Sequence, residues 1–165
     1  MGYLDVATEG NKETKAPAKE GKVEAAVEPV DGMIPAYIGI DSGASDTVCP
    51  KSFSPGHEIK ETKASRDGKY YVAANDTKIQ IYGQKKIEGV SDDWTEFKLN
   101  AVVADVKRPL MSVKNMCEAG HRVIFGPKDS YVENIQSGKR TKIEHTNKGY
   151  RMKVWLPHFP RQVKP

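Results

Sequence analysis

Asp41, Ser42 and Gly43 are the residues of this 165-residue chain whose types and spacing best suit chemistry. They follow Tyr37-Ile38-Gly39-Ile40, a run of strand formers. A carboxylate at the point where a strand stops is held rigidly and pushed out into a cleft, where it can serve as a general acid or base. Gly43 lets the backbone fold back with no Cβ in the way. Ser42 carries a hydroxyl suited to bonding a neighbouring backbone group and holding the turn. Ala44 is small enough to pack beneath it. The bland counterpart is an ordinary turn with a solvated aspartate.

Other chemistries fit the sequence poorly. Cys117 and His121, with Cys49 and His57, are the candidate metal ligands, but neither pair has the spacing of a zinc site, and Gly120 interrupts the first. No Gly-x-Ser-x-Gly elbow occurs, and Cys49 precedes a proline, so a nucleophilic triad has no support. No metal or cofactor is expected.

The elements that must position Asp41 can be read from periodicity. Cys49-Pro50 and Ser54-Pro55-Gly56 punctuate a loop, with Cys49 expected buried and His57 expected exposed. Tyr70 to Ala74 and Lys78 to Gly83 flank Asn75-Asp76-Thr77 and predict a hairpin. Trp94 to Val103 alternates with Phe97, Leu99, Ala101 and Val103 on one face, a half-buried strand. Ser112 can cap a short helix over about Val113 to Ala119, and Gly120 can end it. A meander follows: strands at 131–135, 141–145 and 150–156, separated by Gly-containing turns. In the last strand Tyr150, Met152, Val154 and Leu156 alternate against Arg151, Lys153 and Trp155.

The run Asp41-Ser42-Gly43-Ala44-Ser45-Asp46-Thr47-Val48 after an apolar strand resembles the active-site loop of retroviral-type aspartic proteases, the retropepsins. Leu110-Met111-Ser112-Val113 and Gly120-His121-Arg122-Val123-Ile124-Phe125 are similar to the corresponding segments of Copia-type retrotransposon proteases. The resemblance spans about residues 36–156. It implies an all-β fold, a closed retropepsin-like barrel with one short helix, working as a two-fold homodimer. It implies polyprotein peptide bonds as substrate and Asp41 as the catalytic residue, with Ser42, Gly43 and Ala44 forming its loop. Ser42 would brace the partner loop across the axis. Ser45 and Asp46 would line the substrate cleft, and the hairpin would be the flap, with Ala74, Asn75 and Asp76 touching substrate. Retroviral flaps carry glycines at the tip, whereas this tip is Asn-Asp-Thr. Such catalysis needs two carboxylates sharing a proton. Asp-Ser-Gly occurs once here, in a chain long enough for one domain, so the second carboxylate must come from a second subunit. The alternative in another class is a non-catalytic dimerisation or peptide-binding module, since fold does not guarantee activity.

Composition sets the remaining bounds. Residues 1–32 are rich in Lys, Glu, Ala, Gly and Pro and read as a disordered or linker tail; 33–156 read as the folded domain, and 157–165 as a flexible tail. Two cysteines suit a reducing, cytoplasmic setting, and no apolar run is long enough to span a membrane. Net charge is +4, but from Lys107 onward 13 basic against 4 acidic residues give +9. That excess favours a solvated basic face over a nucleic-acid surface, because no aromatic residues interleave with the basic ones in a recognisable motif.

Overall fold

The structure is a computed structural model that describes residues 32–157. Of the tails expected at 1–32 and 157–165, all but residues 32 and 157 lie outside the described residues, and Pro157 ends the last strand. Strands hold 51% of the described residues and helices 8%, which makes the fold all-β.

The chain runs β1 (Met33–Asp41), β2 (Val48–Cys49), α1 (Lys63–Arg66), β3 (Tyr70–Val72), β4 (Lys78–Ser91), β5 (Glu96–Ala104) and β6 (Leu110–Ser112). It continues through α2 (Val113–Glu118), β7 (His121–Ile124), β8 (Tyr131–Asn134), β9 (Arg140–Lys142), β10 (Glu144–Thr146) and β11 (Gly149–Pro157). Eight strands form one sheet in the order β10-β11-β1-β6-β2-β5-β4-β3, and β11 also pairs with β4 through Val154–Ser91 and Trp155–Val90. A second sheet has the order β7-β8-β9.

Two pairings of β1 set up the site. Along most of its length β1 runs antiparallel to β11, from Met33–Pro157 to Ile40–Tyr150. At its end it runs parallel to β6, with Gly39 opposite Leu110, Ile40 opposite Met111 and Asp41 opposite Ser112. The approach of β6 requires Gly39, since a Cβ there would fall 2.8 Å from a Leu110 methyl. Ile38, Ile40, Cys49, Ile87, Val103, Met152, Val154 and Leu156 form the main core. Each Ile, Val, Leu or Met side chain among them contributes about 1.5–3 kcal/mol on burial, so β1 and its terminal carboxylate rest on a firmly packed base.

Several expectations need correction. Among the described residues two helices are present rather than one. Thr62 caps α1, its hydroxyl accepting from the Ser65 amide at 3.2 Å while Ser65 Oγ accepts from the Thr62 amide at 2.9 Å. That capping box stabilises a single turn too short to show periodicity. The hairpin's second strand does not stop at Gly83 but runs to Ser91. Lysines interrupt its apolar pattern, yet Lys85 sits at an inward position between buried Gly83 and Ile87. Its ammonium donates to the carbonyls of Lys51, Phe53 and Ser54 at 3.0, 2.6 and 3.1 Å, which makes burial of the charge tolerable. Trp94 belongs to the β4–β5 turn with φ 65°, not to the strand.

The strand expected at 141–145 divides at Ile143, whose side chain enters the core as the chain passes from one sheet to the other. In β11 both sides are buried, because Trp94 stacks on Trp155 at 6.1 Å and Asp92 accepts the Trp155 indole N–H at 3.1 Å. His57 is half-buried rather than exposed: Nδ1 lies 2.7 Å from Ser54 Oγ, and Nε2 accepts the Glu88 amide at 3.2 Å.

Candidate active-site loop

Asp41 ends β1 and is 8% exposed. Its Oδ1 accepts the Gly43 amide at 2.8 Å, and the Ala44 amide reaches its carbonyl at 3.4 Å. Its Oδ2 is buried with no hydrogen-bond partner among the described residues. A buried carboxylate oxygen with nothing to accept from costs free energy unless something else meets it.

The turn is closed differently from the expectation. Ser42 is exposed, and the closing bonds come from Asp41 itself and from Ser112. Ser112 is fully buried; its hydroxyl donates to the Ala44 carbonyl at 2.7 Å and accepts the Asn115 amide at 3.1 Å. Its own amide donates to Thr47 Oγ1 at 3.0 Å. One serine thereby caps α2 and fastens the loop to β6. Cap geometry follows from the sequence pattern, but the bond to Ala44 follows from the parallel register of β1 and β6, which no local pattern reveals.

Ala44 is buried as expected, packed with Val48, Ala73, Ile79 and Leu110. That cluster joins the loop to the β3–β4 hairpin. A polar link runs beside it: the Tyr71 hydroxyl donates to Asp46 Oδ2 at 2.8 Å. Sequence reasoning placed Tyr71 in a strand and Asp46 in the loop without connecting them. Ser45 is exposed and Asp46 half-buried, flanking the turn.

Ala74, Asn75 and Asp76 form the exposed hairpin tip. The tip turns without glycine because Asp76 takes φ 67°, a left-handed conformation that Asp tolerates. Asn75 Oδ1 accepts the Thr77 amide at 3.1 Å, and the Asp76 amide bonds the Ala73 carbonyl at 2.9 Å. The structure therefore brings residues 41–46 together and ties the hairpin to them through Tyr71, Ala73 and Ile79, while residues 74–76 are the exposed tip next to Ala73.

The candidate metal ligands do not converge. Cys49 is buried in β2 and Cys117 is exposed on α2. Among the described residues no three His, Cys, Asp or Glu side chains form a metal-sized group, and no helix is long and apolar enough to cross a membrane. Burial pushes the Cys49 thiol up to about 11, opposed by the Lys85 charge. Burial also pushes the Lys85 ammonium below its ordinary range, opposed by its coupling to Cys49.

A cavity of about 880 Å³ lies elsewhere, between the β4–β5 hairpin, α2 and the inner side of the β7–β8–β9 sheet. Met111, Met116, Val132 and Met152 help to line it; Thr47 reaches it but Asp41 does not. Comparison with protein-family models, curated proteins and solved structures finds no match for this chain.

Proposed function

We propose that this chain is an aspartic endopeptidase of the retropepsin type, similar to Copia-type retrotransposon proteases, that acts on polyprotein peptide bonds as a two-fold homodimer. The observation that carries this reading is the state of Asp41: one oxygen held by the Gly43 amide, the other buried without a partner, at the rigid end of a core strand. A symmetry-related Asp41 and a shared water would give that oxygen its partner. The pairing of β11 with β4 supports the closed-barrel form. The β3–β4 hairpin, anchored through Tyr71 and Asp46, supports the flap.

In this reading the two Asp41 carboxylates hold one proton between them, because like charges a few Å apart do not both ionise. The ionised one takes a proton from the water, which attacks the scissile carbonyl carbon. The protonated one donates to the carbonyl oxygen. Collapse of the tetrahedral intermediate passes a proton to the leaving amine and restores the pair. Gly43 and the exposed hairpin tip, Ala74 to Asp76, supply backbone and side-chain contacts to substrate, and exposed Ser42 braces the partner's loop. A single chain presents only half of such a cleft, an open surface, and the cavity of about 880 Å³ lies elsewhere.

Cleavage of a peptide library by the wild type and by Asp41→Asn tests the reading. Activity is expected in the wild type at mildly acidic pH and absent in the nearly isosteric variant. Equal cleavage by both would overturn the mechanism, and a tight dimer without any cleavage would favour the non-catalytic module.

A further inference from the structure

The β7–β8–β9 sheet has two unlike faces. Its register places His121 opposite Asn134, and Val123 opposite Val132 opposite Thr141. His121, Asn134, Val132 and Thr141 line the cavity, so this face is turned inward. The other face therefore points outward. It carries two cross-strand rows: Arg122–Glu133–Arg140 and Ile124–Tyr131–Lys142.

Arg122, Arg140 and Lys142 are exposed, and Glu133 is the one anion in the two rows. Glu133 lies 3.6 Å from Arg140, a loose and partly solvated ion pair. The Arg140 guanidinium stands over the Tyr131 ring at 4.3 Å, so cation and aromatic ring share one spot at the middle of the sheet. Adjacent strands are about 5 Å apart and alternate residues about 7 Å apart, so the three cations span roughly 10 Å around the ring. The sequence could not show this platform, because its members come from three strands.

We propose that this outer face binds single-stranded nucleic acid, with Arg122, Arg140 and Lys142 on phosphates and the Tyr131–Arg140 pair against a base. The chemistry favours nucleic acid over an acidic peptide. Guanidinium groups bind phosphate and carboxylate alike, so the discrimination rests on the aromatic ring bearing an arginine, a stacking surface that bases use and carboxylates do not. The site is remote in sequence from Asp41, and the proposal is independent of the peptidase reading.

Fluorescence anisotropy of labelled oligo(U) with the full chain tests it. Three phosphate contacts give a salt slope near −2, so affinity is expected to fall about twentyfold between roughly 50 and 200 mM salt. Arg122→Gln/Arg140→Gln/Lys142→Gln is expected to lose at least tenfold in affinity, and Tyr131→Leu several-fold. The control Lys63→Gln/Arg66→Gln/Lys69→Gln removes the same charge from exposed residues in and beside α1 and is expected to bind like the wild type. Far-UV circular dichroism checks that each variant is folded. The proposal is overturned by absence of oligo(U) binding at low salt, by equal losses in the two triple variants, or by a polyglutamate competitor displacing the strand as well as unlabelled oligo(U) does.

Discussion

Ser112→Ala is the most informative change to the scaffold. The hydroxyl is fully buried and makes two bonds, donating to the Ala44 carbonyl at 2.7 Å and accepting the Asn115 amide at 3.1 Å. Its removal takes away a helix cap, typically about 1 kcal/mol. It also leaves the Ala44 carbonyl in a buried site without its donor, about 1–3 kcal/mol more. The expected loss is about 2–4 kcal/mol in urea unfolding, with the m-value unchanged. Thr62→Ala supplies the scale, because Thr62 caps α1 without fastening the Asp41 loop; its loss should stay near 1 kcal/mol. The difference between the two variants isolates the bond to Ala44. A Ser112→Ala loss no larger than that of Thr62→Ala would refute the claim that this serine holds the loop.

Two further outcomes follow from named contacts. Tyr71→Phe removes the donor to Asp46 Oδ2 and should cost about 1 kcal/mol, because the pair is only half-buried; amide exchange across Tyr70–Val72 should speed up, and unchanged exchange would show that the apolar cluster alone anchors the hairpin. The Cys49 thiol is raised from 9.0 to about 11, so between those values the folded state keeps a proton that the unfolded state has lost. Stability should therefore fall with rising pH across that window, by up to about 2–3 kcal/mol. Lys85, whose folded ammonium is weakened, acts in the opposite sense, adding stability as pH rises toward 10.5. Thermal melts of wild type and Cys49→Ala across the window isolate the thiol's part: the variant should lose less between its two ends, and an equal loss would contradict the assignment.

The all-β class, the Asp41 turn, the capped helix after Ser112 and most strand positions were legible because each is local: period-2 alternation, a cap residue or a turn residue. What escaped was set by register and by unusual satisfaction of polar groups. Lys85 reads as a surface residue until three carbonyls are seen to converge on its ammonium. Lys153 and Trp155 read as the solvent side of β11 until the β4–β5 turn is seen to cover them. Tyr71 and Asp46 are 25 residues apart, and Ser112 and Ala44 are 68 apart, so the bonds that hold the candidate site together leave no local trace. The hairpin tip has no glycine, and it turns because Asp76 adopts a left-handed backbone, which the residue type allows but does not announce.

Subunit mixing tests the shared-aspartate account most directly. At a fixed amount of wild type, above the dimer dissociation constant, increasing Asp41→Asn protein is added and peptide cleavage followed. If each active centre needs Asp41 from two subunits, added variant chains capture wild-type chains in inactive pairs. An equal amount should then halve the rate, and a ninefold excess should reduce it to about a tenth. A rate that stays constant through the ninefold excess, while an affinity-tagged variant chain co-purifies wild-type chains and so shows mixed dimers forming, would contradict the account.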